Sequence, residues 1–257
     1  MRKEETRQID SVIFEGMTSI NAVIKAYGAS HSRRIEKVYF DKEKTSSKRR
    51  EYAFLKESAK SLGFDLVLTD SESISSLALG NTHGGVIAEC SSREILRLDS
   101  LDALPSDGFF VMIEGIEDPY NFGYAIRTLY AAGVSGIILP ERNWMSAAGV
   151  VCRASAGASE LVPSYVASAA YACERFKKEG YKVACAGIRD SISVFDADMK
   201  LPLLLVVGGE KRGISSAVLS LADIIVRIDY GREFKGSLSA ASAASVLAYE
   251  VFRQNRK

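Results

Sequence analysis

Between residues 113 and 139 the chain reads IEGIEDPYNFGYAIRTLYAAGVSGIIL: the end of an apolar strand, a polar loop, a helix, and a second apolar strand. The same alternation continues to the C-terminus, with strands expected at 109–113, 136–139, 161–165, 181–187, 203–208 and 224–228 and helices between them. A chain of this pattern is confined to an α/β fold, because short apolar strands separated by helices form a mostly parallel sheet covered on both faces. One side chain sits oddly in it. Arg127 stands among Ala125, Ile126, Leu129, Tyr130, Ala131 and Ala132, which read as a packed helical face. A guanidinium there needs a carboxylate, a phosphate or a reacting oxygen. An arginine that snorkels, or pairs with Glu114, Glu117 or Asp118, meets the same need.

The first 90 or so residues form a smaller α/β pattern. Ile20, Val23, Ile24 and Tyr27 fall on one helical face that Gly28 closes, and IEKVYF (35–40) reads as a strand. Tyr52, Leu55, Ala59 and Leu62 form a second helical stripe stopped by Gly63, and FDLVLT (64–69) is the next strand. Gly84 and Gly85 bend the chain before a last strand at 86–90. Residues 93–107 mix charge, leucine and proline without clean periodicity. The expected division is a front domain at 1–92, a linker at 93–107 and a second domain at 108–257.

Charge is uneven along the 257 residues: residues 1–60 hold 14 basic against 9 acidic side chains, although the net charge of the chain is only +1. The run Lys42, Lys44, Lys48, Arg49, Arg50 supplies much of that surplus; it is suited to a phosphate backbone, or simply to a solvated helix start. Cys90, Cys152, Cys173 and Cys185 form no C-x-x-C pair, and the only histidines are His31 and His83, so no metal site is expected and the thiols read as reduced and buried. The charged N-terminus has no apolar signal core, and no apolar run approaches the roughly 18 to 20 residues that span a bilayer. A soluble cytoplasmic protein is expected.

Ligands of open α/β sheets bind beyond the carboxyl ends of the strands, which directs attention to three loops. EGIEDPYNFG (114–123) is stiffened by Pro119 and offers Asn121. VVGGEKRGIS (206–215) is no Walker loop, since Ile214 follows Gly213 where a lysine is required. Its paired Gly208 and Gly209 either admit a flat ligand to the backbone or make a tight turn, with Glu210 after them. The third loop, IDYGREFKGSLS (228–239), opens a last helix, expected at 237–254, whose first turns are Ala and Ser. A helix so thin packs closely on a backbone, a ligand or a second subunit.

Together these segments resemble the motifs of the SpoU family of the SPOUT RNA methyltransferases, in family order and spacing. N-x-G-x-x-x-R after a strand is present as Asn121, Gly123 and Arg127; G-x-E-x-x-G as Gly208, Glu210 and Gly213; and the third motif as Ile228, Ser237 and Leu238. SAGA (155–158) looks like a family segment between the first two motifs, and THGGVIA is similar to the segment that closes the small ribosomal-protein-like RNA-binding module many members carry in front. Two positions depart from the pattern: Asp229 stands for a family proline and Ser239 for a family asparagine.

The resemblance implies a C-terminal domain with a deep trefoil knot, an exception to the rule against threaded chains, and a homodimer in which the knot helices pack. It implies S-adenosylmethionine held by Gly208, Gly209, Ile228, Ser237 and Leu238, and methyl transfer to a ribose 2′-hydroxyl of RNA, ribosomal RNA in preference to tRNA. Arg127 would stabilise charge on the attacking oxygen as a donor, a guanidinium being a reluctant proton acceptor. Asn121 would orient Arg127 or the ribose, Glu210 would pair with Arg127, and Ser237 and Ser239 would offer hydroxyls to ribose or phosphate. No metal is implied, since the leaving group starts cationic and departs neutral. The rival readings are a catalytically silent RNA-binding protein on the same fold and a small-molecule α/β enzyme with the front domain as a lid.

Overall fold

A computed structural model describes residues 12–29, 32–80, 82–93, 95–141, 147–209 and 213–256. The chain divides into two compact units, one of Met1–Glu94 with Trp144–Leu161 and one of Ile95–Asn143 with Val162–Lys257.

The first unit begins with β1 (Val12–Glu15), α1 (Gly16–Ala26), β2 (Ile35–Asp41), α2 (Arg49–Leu62), β3 (Asp65–Thr69), α3 (Ser71–Leu77) and β4 (Val86–Cys90). Its sheet runs in the order β1-β4-β2-β3, with β4 antiparallel to both neighbours and β2 parallel to β3. Gly63 ends α2 in the left-handed conformation, φ 78°, which a residue without Cβ adopts at no steric cost.

The second unit opens with β5 (Leu96–Arg97), β6 (Phe109–Ile113), α4 (Pro119–Ala131) and β7 (Gly136–Leu139). Residues 95–107, read from the sequence as part of a linker, carry β5 and bury Leu98 in the core of this unit. The chain then returns to the first unit as α5 (Ala148–Ala154) and α6 (Ala158–Leu161). The fit there is tight enough to demand glycine: a Cβ on Gly149 would collide with the carbonyl oxygen of Ile13, and one on Gly157 would lie 2.5 Å from Ala22 Cβ. Glu160 of α6 accepts from Arg33 Nε at 3.0 Å with both side chains inaccessible, and the Arg33 guanidinium lies 5.1 Å over the Phe14 ring. Arg153 of α5 donates to Glu15 at 2.6 Å, and Glu15 also accepts from the backbone of Leu79 and Gly80.

The second unit resumes with β8 (Ser164–Val166), α7 (Ala169–Lys178), β9 (Lys182–Ala186), β10 (Ile192–Ser193), β11 (Leu203–Val207), α8 (Ser216–Leu219), β12 (Ile224–Arg227) and α9 (Ala240–Asn255). Its eight strands run β10-β12-β9-β11-β6-β7-β8-β5 with every pairing parallel. The expected strand at 161–165 is shifted: Leu161 ends α6, and Pro163, which cannot continue a helix, precedes the strand. The last helix starts at Ala240, after the expected Ser237, because Ser239 caps it by accepting from Ser242 N–H at 3.2 Å.

The face of α4 also differs from the sequence reading. Phe122, Ala125, Ile126 and Leu129 are buried, whereas Arg127, Tyr130 and Ala131 are exposed. The buried set follows the i, i+3, i+4, i+7 spacing, and Arg127, Tyr130 and Ala131 fall outside that stripe. All four cysteines are free and buried. Burial pushes the thiols of Cys152 and Cys185 up to about 12 and that of Cys173 up to about 11, so they stay protonated at neutral pH.

Candidate active site

The central strands β6 and β11 end side by side, and the loops that follow them touch backbone to backbone. A Cβ on Gly209 would lie 2.6 Å from the Gly115 carbonyl carbon, and one on Gly208 would lie 2.5 Å from the same atom of Gly213. The antiparallel bridge between Gly209 and Gly213, with a 3.0 Å hydrogen bond from Gly213 N–H to the Gly209 carbonyl, explains the second contact. These glycines are thus demanded by chain meeting chain, and their small size at the same time leaves the loop edge open to solvent.

That edge borders a cleft of about 730 Å³ in the second unit. Val207, Ile214, Leu219, Ile225, Ile228 and Leu247 give it an aliphatic wall. Gly208, Gly209, Ile228, Ser237 and Leu238, all five residues expected to hold a cofactor, line it together. The dimensions and the mixture of apolar wall with exposed backbone are those of a small-molecule site.

The other expected site residues stand elsewhere. Asn121 and Arg127 lie on α4, outside the cleft lining. The helix is started by Asp118, whose carboxylate accepts from the N–H groups of Tyr120 at 2.6 Å and Asn121 at 3.2 Å, with Pro119 behind it. Among the described residues Arg127 has no ion pair. Ser239 Oγ is engaged at the start of α9, accepting from Ser242 N–H and sharing a 3.0 Å bond with Ser242 Oγ. Glu210 lies outside the described residues.

Asp229, at the family's proline position, ties the third loop down. Arg227 Nε donates to its carboxylate at 2.9 Å, and the Ser193 hydroxyl together with the Arg227 charge holds the carboxyl below the usual range. Glu114, just after β6, behaves in the opposite sense: burial raises its pKa, and its Oε2 has no hydrogen-bond partner among the described residues. Sequence reasoning passed over Arg189, Tyr230, Phe234 and Lys235, which also line the cleft. Arg189 follows a strand just as the three chosen loops do, so the post-strand rule itself points to it. No group of His, Cys, Asp and Glu among the described residues is arranged to hold a metal ion.

Fold and cleft define an α/β protein that takes a small molecule at the carboxyl ends of a parallel sheet. The pattern of the SpoU rRNA Methylase family matches residues 108–249, and the chain belongs to that family. It is 31% identical over 205 residues to YacO of Bacillus subtilis (strain 168), assigned to the TrmH family of tRNA/rRNA methyltransferases, covering 77% of this chain and 81% of that one. It is 30% identical over 203 residues to the 23S rRNA (guanosine-2′-O-)-methyltransferase RlmB of Shewanella oneidensis, covering 77% and 82%. In fold it is similar to the AdoMet-bound rRNA methyltransferase of Sinorhizobium meliloti, with a TM-score of 0.77 at 22% identity over 96% of this chain and 89% of that one.

Proposed function

We propose that the chain transfers a methyl group from S-adenosylmethionine to a ribose 2′-hydroxyl of structured RNA, with ribosomal RNA as the substrate class. One observation carries the reading: in a member of an rRNA methylase family, the loops after β11 and β12 meet in a single cleft that gathers Gly208, Gly209, Ile228, Ser237 and Leu238. The cleft suits the cofactor, because aliphatic side chains can sandwich a purine while the glycine loop and residues 236–237 bring backbone close to its edge. S-adenosylmethionine, when bound, supplies a methyl group on a positively charged sulfur.

The chain's own task is to orient the hydroxyl and stabilise the negative charge that grows on its oxygen. Arg127 is suited to it: the side chain is exposed and has no ion pair among the described residues, and a planar guanidinium offers several N–H donors to a developing oxyanion. Asn121 lies six residues earlier on the same helix and orients Arg127 or the ribose. Glu210 is assigned to fix the Arg127 rotamer, and Ser237, on the cleft wall, to meet the ribose or phosphate. Ser239 has a second duty as helix cap and shares a bond with Ser242 Oγ, so its hydroxyl meets substrate through the one donor or acceptor site left over, directly or by a bridging water.

The same reading includes a homodimer. Tyr120, Tyr124 and Tyr130 on α4 and Tyr249 and Phe252 on α9 are exposed, on two helices that pack against each other. Aromatic groups so displayed are covered economically by a two-fold copy of themselves. A trefoil knot fits the return of α9, whose Ala240, Ala243 and Leu247 share the cleft wall with the loop after β11. The front unit takes the RNA-binding role: Lys44 and Lys48 lie against the Gly84–Gly85 turn beside Arg49 and Arg50. A cytoplasmic location agrees with four free buried thiols and with the lack of a membrane-crossing helix among the described residues.

Calorimetric titration of the full chain with S-adenosylmethionine is the test, paired with a map of 2′-O-methyl positions in ribosomal RNA from cells with and without the gene. One cofactor per chain and one missing methyl are expected. A folded protein that takes up no cofactor overturns the reading.

A further inference from the structure

The loop between β12 and α9 displays two aromatic rings that the sheet core does not use. Tyr230 is 41% exposed and Phe234 57%, with ring centroids 5.8 Å apart and planes inclined at 57°. Their positions are set by the loop itself. The Tyr230 hydroxyl accepts from Leu238 N–H at 3.2 Å, and Phe234 lies over Gly236, where a Cβ would come within 2.8 Å of its Cε1. Both rings belong to the cleft, yet the deeper wall is aliphatic and the rings stand at its exposed rim. The cavity therefore offers two different apolar surfaces, an inner one and an outer one.

The charges around the outer surface favour an anionic polymer. Arg189 and Lys235 line the cleft and Arg232 stands between the two rings in sequence; all three are exposed, and none has an ion pair among the described residues. Of the neighbouring carboxylates, Asp229 is taken by Arg227, leaving Asp190 and Glu233. Exposed rings interleaved with free cations are the chemistry of single-stranded nucleic acid recognition, where bases stack on aromatic faces and phosphates meet lysine and arginine.

We propose that Tyr230 and Phe234 form a stacking platform for an unpaired RNA base, with Arg189 and Lys235 gripping the flanking phosphates, so that the nucleotide to be methylated is presented out of its helix. This rests on the methyltransferase reading above and deepens it by stating the form in which substrate enters. The rival occupant of the rings is the adenine of the cofactor.

The experiment compares the full-length protein with its Phe234→Ala and Phe234→Trp variants. The probe is a short oligoribonucleotide carrying 2-aminopurine, used alone and annealed to its complement, with S-adenosylmethionine affinity measured calorimetrically on the same samples. Wild type is expected to quench the probe and to prefer the single strand. Phe234→Ala should lose the quench and roughly 5- to 150-fold in single-strand affinity, the range for one stacked base, while cofactor affinity stays within about twofold and Phe234→Trp restores both RNA readouts. Cofactor affinity falling in step with RNA affinity would assign the ring to adenine and overturn the proposal, as would equal binding of single strand and duplex by wild type. A wild-type chain that binds the RNA but no cofactor overturns the parent reading, and the platform's purpose with it.

Discussion

Beneath its mixed sheet the front unit buries charge. Arg33 and Glu160 are 4% and 5% exposed, and Arg93 approaches the same carboxylate at 3.9 Å while donating to the Ser159 carbonyl at 2.8 Å. In the sheet unit no ion pair among the described residues is buried on both sides: Arg253 is exposed beside the buried Glu250, and Arg175 and Glu179 both stay partly accessible. The difference follows from what each unit must specify. The front unit has to recognise one distant piece of its own chain, and a buried pair enforces which piece and in what register, although it adds little net stability over an apolar pair. The sheet unit leaves its polar groups at the loop ends, where a ligand can use them.

The largest effect that tests this contrast is loss of the buried pair. Glu160→Ala should cost about 3–5 kcal/mol by urea denaturation, since it strands a buried guanidinium. Replacing both partners by Met and Leu should return most of that loss, and failure to do so would mean that the pair contributes strength and not only specificity. In the sheet unit, Arg127→Ala should slow methyl transfer about 10²- to 10³-fold with an unchanged urea midpoint, because the role proposed for this exposed arginine lies in the chemistry and not in the fold. A falling midpoint would erase the distinction between the two units.

A smaller effect is expected at Ser239. Ser239→Ala should cost about 1 kcal/mol of stability through the lost cap, whereas Ser239→Asn, also a good capping residue, should keep it. Single-turnover transfer by the two variants then separates the cap from any contact with substrate. The smallest concerns Glu114, whose pKa is raised by burial. The folded state holds that proton more tightly than the unfolded chain, so stability declines as pH rises from the unfolded pKa through the folded one, and the penalty persists above it. Glu114→Gln should therefore raise the melting midpoint at pH 8, with the gain vanishing in acid below the ordinary carboxylate range.

The strands that build the site were readable because β6, β7 and β11 are buried on both faces and so appear as unbroken apolar runs. β5 and β10, two residues each, are too short for any periodicity to show. Gly208 and Gly209 stood out in sequence, but the backbones of Gly213 and Gly115 that require them are remote or irregular, and only the folded loops reveal the contact. Alanine and glycine around residues 148–158 likewise look like ordinary helix and turn. Their partners, Ile13 and Ala22, lie more than a hundred positions earlier, where no local pattern connects them. At Arg127 the neighbours in sequence misled, because adjacent residues of a helix point in different directions.

The return of α5 and α6 to the first unit has a consequence for biosynthesis. When residue 93 leaves the ribosome, the groove beside β1 and α1 is still open, Arg33 lacks its carboxylate, and Glu15 lacks Arg153. Translation proceeds at about 5–20 residues per second, so the missing segment follows roughly 3 to 14 seconds later. During that interval the emerging chain carries an unfilled apolar groove and an uncompensated charge. Chaperone capture of the nascent protein should concentrate in that window and end once residue 161 emerges.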